Sequence, residues 1–169
     1  MKSNGMLLDA FGRIHETVAA VLDGAAVESL VRRPAGTGNS MAWLIWHLSR
    51  VEDAQVASAA GLDQVWHAQG FAGRFDLPLP EGDTGYGHST SQVDAVQAPP
   101  ELLLEYYSAV HRQTVELLKT LGDADLGRVV DTRWDPPVTL GVRLVSTIAD
   151  CFQHAGQAAY VKGLNPNSG

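Results

Sequence analysis

The chain has 169 residues, of which 45% are hydrophobic and 18% charged, and its formal net charge is −7. This length and composition predict one globular domain over residues 1–169 and exclude a disordered chain. The acidic balance argues against a nucleic-acid partner, because phosphate neutralisation needs clustered Lys and Arg, and the longest basic run is Arg32-Arg33.

The cysteine count and the hydropathy indicate the cellular compartment in which the protein is expected. A single cysteine, Cys151, makes an intrachain disulfide impossible and fits a reducing environment, so we expect a cytoplasmic protein. Because free cysteines are usually buried and inert, Cys151 is predicted to be a small core residue. The sequence has no apolar run of about 18 residues and no signal-like N-terminus, which predicts no membrane span and no membrane partner.

Four segments have the hydrophobic period of amphipathic helices. The first ends before Gly24, and the second begins at Asn39 or Ser40, both good N-caps, and ends before Gly61. A pair of prolines opens the third, and Gly163, Asn165 and Pro166 follow the fourth. The predicted helices cover about 4–23, 39–60, 99–122 and 139–162.

The connections between these helices indicate how they are arranged. Residues 61–98 are rich in glycine and have no lasting helical period, so they form a loop of nearly forty residues that is functional or partly ordered into short pieces. Strand-like alternation is negligible along the chain. Each helix would be about 30 Å long. The pattern predicts an all-α fold, a four-helix bundle with a long crossover loop between helices 2 and 3.

The stretch "DCFQHAGQAAY" places Asp150 and His154 four positions apart, on one face of the last predicted helix. The second predicted helix offers His47 from its apolar stripe. Two imidazoles and a carboxylate on the inward faces of facing helices suffice for a divalent transition metal. Spacing alone leaves two ordinary interpretations open: a core histidine at 47 and a hydrogen-bonded pair at 150 and 154. The metal is favoured if the last helix faces Asp150 inward, because a buried carboxylate is costly unless it is paired or bound to a metal.

Two stretches, "NSMAWLIWHLSRVEDAQV" and "DCFQHAGQAAYVKGL", together resemble the DinB-like superfamily of four-helix metalloproteins. The chain is most similar to the actinobacterial branch that includes the mycothiol-dependent maleylpyruvate isomerase metal-binding domain and related thiol S-transferases. The likeness covers nearly the whole chain, including "DTGYGH" and "WDPPVTLGVRLVS". It implies one ligand from the second helix and two from the fourth, at His47, Asp150 and His154. Many relatives have His or the longer Glu where this chain has Asp150.

The resemblance also implies a reaction. A divalent metal, with Zn²⁺ or Ni²⁺ expected, would lower the pKa of a low-molecular-weight thiol such as mycothiol, and the thiolate would attack a small electrophile. The protein would then be a metal-dependent thiol S-transferase or isomerase. Two other functions stay open. One is a non-catalytic protein that binds a metal or small molecule or serves a stress response, and the other is a non-haem iron oxygenase, since two histidines and a carboxylate also form a facial triad.

Four further residues are candidates for binding the substrate or cosubstrate. Arg143, about two turns before Asp150, is suited to a carboxylate, and Gln153 and Gln157 lie near the ligand face of the same helix. Tyr86, in the long loop, is a candidate lid residue. Each has an ordinary alternative as a surface or structural residue.

Other features of the sequence point to no site. His15, His67 and His111 have no partner at ligand spacing. A homodimer is compatible with a bundle of this kind, but no distinctive interface stripe is visible in the sequence.

Overall fold

A computed structural model describes residues 2–164 of the chain. Asn165 and Pro166, expected to follow the last helix, lie outside the described residues. Within them, four long helices form a bundle, which confirms the predicted all-α architecture. The long helices are α1 (Ser3–Leu22), α3 (Met41–Ala60), α7 (Pro100–Thr120) and α8 (Leu140–Gly163), and the short ones are α2 (Val27–Val31), α4 (Val65–Ala68), α5 (Phe71–Phe75) and α6 (Thr90–Ala95).

Local chemistry sets the ends of the two helices that matter most for the site. The Ser40 side chain accepts a hydrogen bond from the backbone N–H of Trp43 and so caps α3. Gly61 ends α3 in the left-handed region with φ 69°. Glycine adopts this conformation without strain. At the start of α8, the Thr139 hydroxyl accepts from the backbone N–H of Val142.

Helix α3 lies at the centre of the bundle and packs most extensively against α8, while α1 packs against α7 and α8. Every residue of α3 from position 41 to position 53 is buried. The Cys151 thiol lies 3.6 Å from the Leu48 carbonyl, and the Thr147 hydroxyl lies 3.3 Å from the Gln55 side chain. Later residues of α3 therefore face earlier residues of α8, and the two helices run antiparallel.

The long connection between α3 and α7 is ordered by a buried carboxylate. Asp53 accepts hydrogen bonds from the backbone N–H groups of Val65 and Trp66, both at 2.8 Å, and from the Tyr106 hydroxyl at 2.9 Å. It thereby satisfies two N–H groups at the first turn of α4, which no intrahelical acceptor can reach. The predicted loop over 61–98 is thus held against α3 and contains three short helices, α4 to α6.

The structure corrects the sequence prediction at two connections. A small antiparallel hairpin joins β1 (Val129–Asp131) to β2 (Val138–Thr139), with a cis peptide bond between Asp135 and Pro136 in its turn. Strands this short cannot show an alternating pattern. Helix α2 is likewise too short for a helical period, so the sequence predicts only an irregular break there.

The interface of α1 and α7 contains two of the three histidines that had no predicted partner, His15 and His111. The His15 and His111 rings stack with their centroids 4.7 Å apart, and His15 Nε2 lies 3.0 Å from the Ser108 hydroxyl. Burial, with a smaller contribution from His15, lowers the pKa of His111 to about 4, so this ring is neutral at pH 7. The two stacked rings therefore contribute to the packing of α1 against α7.

Among the described residues, no helix combines the length and the hydropathy that crossing a membrane requires.

Replacing Asp53 with alanine should lower the free energy of unfolding by about 3–5 kcal/mol. The change leaves the start of α4 without its acceptor and the buried Arg50, 3.5 Å from Asp53, without its carboxylate. The measurement is urea unfolding followed by circular dichroism. Asp9→Ala, which breaks an exposed ion pair with Arg13, is the control and should cost less than about 1 kcal/mol. Equal losses in the two variants would contradict the anchoring role of Asp53.

Candidate metal centre

The three predicted ligand residues converge in the structure. His47 comes from α3, Asp150 and His154 come from α8, and one ligand atom from each lies within 4.8 Å of the others. The two imidazole rings meet edge to face, with centroids 4.5 Å apart and planes at 77°. A single ion between the helices would therefore reach all three side chains.

Hydrogen bonding fixes which ring nitrogen of His47 has a lone pair available for a metal. The ring is buried and stacks on Trp43 at 4.7 Å, and its Nδ1 is bonded to the Thr84 carbonyl. A carbonyl oxygen can only accept, so Nδ1 carries the proton and the lone pair is on Nε2. Metal-binding histidines usually have this arrangement, because the bond to the carbonyl orients the ring and fixes its tautomer.

His154 is arranged in the same way within its own helix. Its Nδ1 donates to the Asp150 carbonyl at 2.8 Å, one turn earlier. Nε2 is therefore again the free nitrogen. The Oδ2 atom of Asp150 lies 3.3 Å from the same Nδ1, but it is buried and has no hydrogen-bond partner among the described residues. An unsatisfied buried carboxylate oxygen is costly, and a cation beside it would remove that cost, so the residues present fit a bound metal.

The charge states of the cluster also suit a cation. Burial lowers the pKa of His47, so this ring is neutral at pH 7. For Asp150, burial raises the pKa, but His154 and His47 together outweigh it, and the net pKa lies below the ordinary value. For His154, burial lowers the pKa, but the contacts with Asp150 outweigh it and the net pKa is raised. The cluster thus provides one carboxylate, one neutral imidazole and one imidazole that must lose any proton before it can ligate.

A hydrogen-bonded chain holds the segment 83–88 against α3. The Trp43 indole N–H donates to His88 Nδ1 at 3.0 Å. Because that nitrogen accepts, the His88 proton is on Nε2, which donates to Asp83 Oδ2 at 2.9 Å. The other Asp83 oxygen accepts the backbone N–H of Gly85 at 2.9 Å. This series of hydrogen bonds holds the Thr84 carbonyl within hydrogen-bonding distance of His47 Nδ1.

Gly85 makes this close approach possible. Its φ is 94°, and a Cβ there would lie 2.7 Å from His47 Nδ1 and 3.1 and 3.2 Å from the rings of Trp46 and Trp43. Such a φ favours glycine, and any other residue would push the loop away from His47. The sequence singled out Tyr86 in this loop but neither Thr84 nor Gly85, for which the "DTGYGH" stretch was the only available signal.

The other predicted site residues do not join the three ligand residues. Tyr86 is 93% exposed, and Gln153 and Gln157 are exposed on α8, with no described contact to the cluster. Arg143 donates to Asp131 Oδ2 at 2.8 Å and to the Gln55 side chain at 3.2 Å. It belongs to a separate polar cavity.

That cavity, of about 630 Å³, lies between α3, β1 and α8 and is lined by Gln55, Ser58, Asp131, Arg133 and Arg143 among others. Hydrogen bonds from Arg133 and the charge of Arg143 hold the pKa of Asp131 well below its usual range. Two guanidinium groups face one carboxylate, so the lining is net positive on an acidic chain. Arg143 precedes Asp150 by seven positions on α8, which places the cavity roughly 10 Å from the three clustered residues along the groove between α3 and α8.

Cys151 adjoins Asp150 but points into the core. It is fully buried, and its thiol lies 3.6 Å from the Leu48 carbonyl. Burial raises the pKa of this thiol well above its ordinary value, and the neighbouring carboxylates of Glu52 and Asp150 raise it further. Cys151 is therefore neither a nucleophile nor a ligand at neutral pH.

The comparisons with known proteins agree with this geometry. The family model described as mycothiol-S-transferase matches residues 6–164. The crystal structure of a conserved protein from Enterococcus faecalis superposes with a TM-score of 0.88, at 33% sequence identity and over 95% of each chain. A search among curated proteins gave no significant match. The match to the family model covers nearly the whole chain, including all three clustered residues, and the chain belongs to the mycothiol-S-transferase family.

Proposed function

We propose that the protein is a metal-dependent thiol S-transferase or isomerase that activates a mycothiol-like thiol for attack on a small electrophile. His47 Nε2, His154 Nε2 and a carboxylate oxygen of Asp150 would hold a divalent transition metal, Zn²⁺ or Ni²⁺. The observation that carries the proposal is that both histidines commit Nδ1 to a carbonyl, while Asp150 Oδ2 is buried without a hydrogen-bond partner among the described residues. Membership of the family supports the thiol chemistry.

The donor set suits a thiol substrate. When bound, a divalent cation lowers the pKa of a coordinated thiol and stabilises the thiolate. Two neutral imidazoles and one carboxylate leave the site with a net charge of +1 when a divalent ion is present, so an anionic sulfur is attracted to it. Three protein ligands also leave coordination room for a substrate atom.

The surroundings of the ligands would position and shield such a substrate. Trp43 and the segment 83–88 cover one side of His47 and keep water from it. The net-positive cavity around Arg143 is suited to a carboxylate or another polar group at the far end of the thiol or the electrophile. A substrate that extends about 10 Å from its sulfur would reach from the candidate metal centre to the cavity around Arg143.

Three exposed residues complete the proposed substrate contacts. Gln153 and Gln157 lie on α8 directly before and one turn after His154, where their amides can bond polar groups of a bound thiol. Tyr86 stands at the tip of the segment 83–88, and we assign it the role of a cover that moves over the bound substrate.

Metal binding is tested with His47→Ala. Removal of one of three ligands should lower the bound metal, measured by elemental analysis after dialysis against Zn²⁺ or Ni²⁺, by at least tenfold. His67→Ala is the control, because His67 is exposed and contacts only Glu81 among the described ion pairs. Unchanged metal occupancy in His47→Ala would contradict the assignment.

The support from the loop is tested with Gly85→Ala and Gly87→Ala. Both glycines have positive φ, 94° and 72°, but only at Gly85 would a Cβ meet the ligand. We expect Gly85→Ala to weaken metal affinity by roughly 10–100-fold, since His47 loses its carbonyl partner, and Gly87→Ala to have little effect. Circular dichroism establishes that both variants fold. Equal affinities would mean that the Thr84 carbonyl does not position His47.

Catalysis is tested by following the consumption of mycothiol with an aryl halide electrophile. Activity should disappear with a chelator and return on adding Zn²⁺ or Ni²⁺, and glutathione and cysteine serve as alternative thiols. A metal-loaded protein that consumes none of the three thiols would refute the transferase and leave a binding protein. Oxygen uptake with Fe²⁺ in place of thiol transfer would indicate an oxygenase instead.

A further inference from the structure

The polar cavity between α3, β1 and α8 offers mainly hydrogen-bond donors to a ligand. Asp131 is the one acidic residue among the described residues that line it, and both of its carboxylate oxygens already accept bonds. Oδ1 accepts from the backbone N–H and from Nε of Arg133, and Oδ2 accepts from Arg133 and Arg143. An arginine has five N–H donors and no acceptor, so each guanidinium group retains donors that Asp131 does not use.

A third guanidinium group and an amide add further donors. Arg128 donates to the backbone carbonyl of Ala59, which lines the cavity, at 3.2 Å. The Gln55 side-chain oxygen accepts from Arg143 and from the Thr147 hydroxyl, which leaves the Gln55 amide N–H groups for other contacts. Three cationic side chains thus surround one carboxylate on a chain whose net charge is −7. A cavity of this kind is suited to an anion, above all to a carboxylate that can bond two guanidinium N–H groups at once.

The two ends of the groove between α3 and α8 differ in charge. Arg143, Asp150 and Gln157 follow one another at intervals of seven residues, so they lie nearly on one line along α8. Each interval is about 10 Å long, with the candidate metal centre in the middle. One end has the guanidinium groups of the cavity, whereas the other end has the neutral amide of Gln157. Two molecules that meet at the centre would therefore be selected for different charge.

We propose that the cavity around Arg143 binds a carboxylate of the electrophile, and that the protein therefore prefers small anionic electrophiles. The thiol is already attracted to the candidate metal centre by its sulfur, and its tail would extend toward Gln157. The electrophile has no such attachment, and the cavity provides one. This assignment rests on the proposed function, because it takes the candidate metal centre as the place of the thiol.

The distances suit a substrate of one aromatic ring. The cavity lies roughly 10 Å from the three clustered residues. A metal–sulfur bond would occupy about 2.3 Å of this distance. A ring with a carboxylate opposite the attacked carbon is long enough to cover most of the remainder. With an aryl chloride of this kind, the sulfur bonds to the ring carbon, chloride leaves with the electron pair of the broken bond, and the thiol proton passes to the solvent.

Binding is tested by isothermal titration calorimetry, which needs no turnover. The probes are meta-dinitrobenzene and its carboxylated counterpart, meta-dinitrobenzoate, which have no chloride to displace. We expect the natural protein to bind the benzoate at least about tenfold more tightly, because charged hydrogen bonds hold its carboxylate. Arg143→Met should abolish this preference, and Arg133→Gln should reduce it. Arg112→Gln is the control, because Arg112 is exposed on α7 and the change removes the same charge.

The same titration in saturating mycothiol identifies the molecule that carries the anion. Binding of the benzoate that is unchanged or stronger would support separate places for the thiol and the electrophile. Displacement of the benzoate by mycothiol would assign the cavity to the thiol and overturn the proposal. Equal binding of the two probes by the natural protein, or an equal loss in Arg143→Met and Arg112→Gln, would also overturn it. Circular dichroism establishes that the variants fold.

Turnover gives a second measurement, with mycothiol and an aryl chloride that has two ortho nitro groups, with and without a carboxylate opposite the chlorine. Arg143→Met should raise KM for the carboxylated chloride at least about tenfold and leave KM for the neutral one nearly unchanged. Equal losses with the two chlorides would contradict the role of Arg143. A Zn²⁺-loaded protein that transfers mycothiol to neither chloride would refute the proposed function, whereas the calorimetry would still decide on the carboxylate site, so the two failures are distinguishable.

Discussion

The hydrogen bond between His47 and the Thr84 carbonyl is the constraint on which the candidate site depends. It decides that Nε2, not Nδ1, is directed toward Asp150 and His154. Thr84 in turn is held by the chain that runs from Trp43 through His88 to Asp83. The long crossover is therefore part of the site, because it fixes the orientation of a side chain that belongs to a different element.

A second constraint fixes the position of α3 itself. The helix is buried along most of its length, so its charged residues need partners inside the protein. Glu52 accepts from the Tyr107 and Thr114 hydroxyls at 2.9 and 2.8 Å, and burial raises the pKa of its carboxyl group to about 7. Arg50 donates to the Asp83 carbonyl at 3.1 Å. These directional bonds hold α3 against α7 and the crossover. They therefore fix the position of α3 along its axis, and with it the point at which His47 faces α8.

The long helices and the cluster of His47, Asp150 and His154 could be predicted from sequence. The helices rest on a local pattern, and the cluster rests on spacing together with the family resemblance. The period of the apolar residues marks four helices, and the spacing of Asp150 and His154 places two ligand candidates on one face. The support around the ligands could not be predicted in this way. Thr84 acts through its backbone carbonyl and Gly85 through the absence of a side chain, so neither has a chemical signature in the sequence. Asp131, which holds Arg143, lies in a strand too short to have a pattern.

The exposed apolar side of α8, with Val142, Val145, Phe152 and Tyr160, could not be recognised from the sequence for a different reason. Valine, alanine and phenylalanine at helical spacing predict a buried face, and only the packing in three dimensions shows which apolar face has no partner within the described chain. The true core face of α8, with Leu144, Cys151 and Ala155, has the same character in sequence.

The position of Cys151 has a consequence for a protein proposed to work among reactive electrophiles. A free sulfhydryl on the surface would compete with the substrate thiol, and each encounter would alkylate the catalyst or trap it as a mixed disulfide. Here the only sulfhydryl is enclosed by the helices and kept protonated. For as long as the bundle stays folded, such electrophiles therefore cannot reach this sulfhydryl.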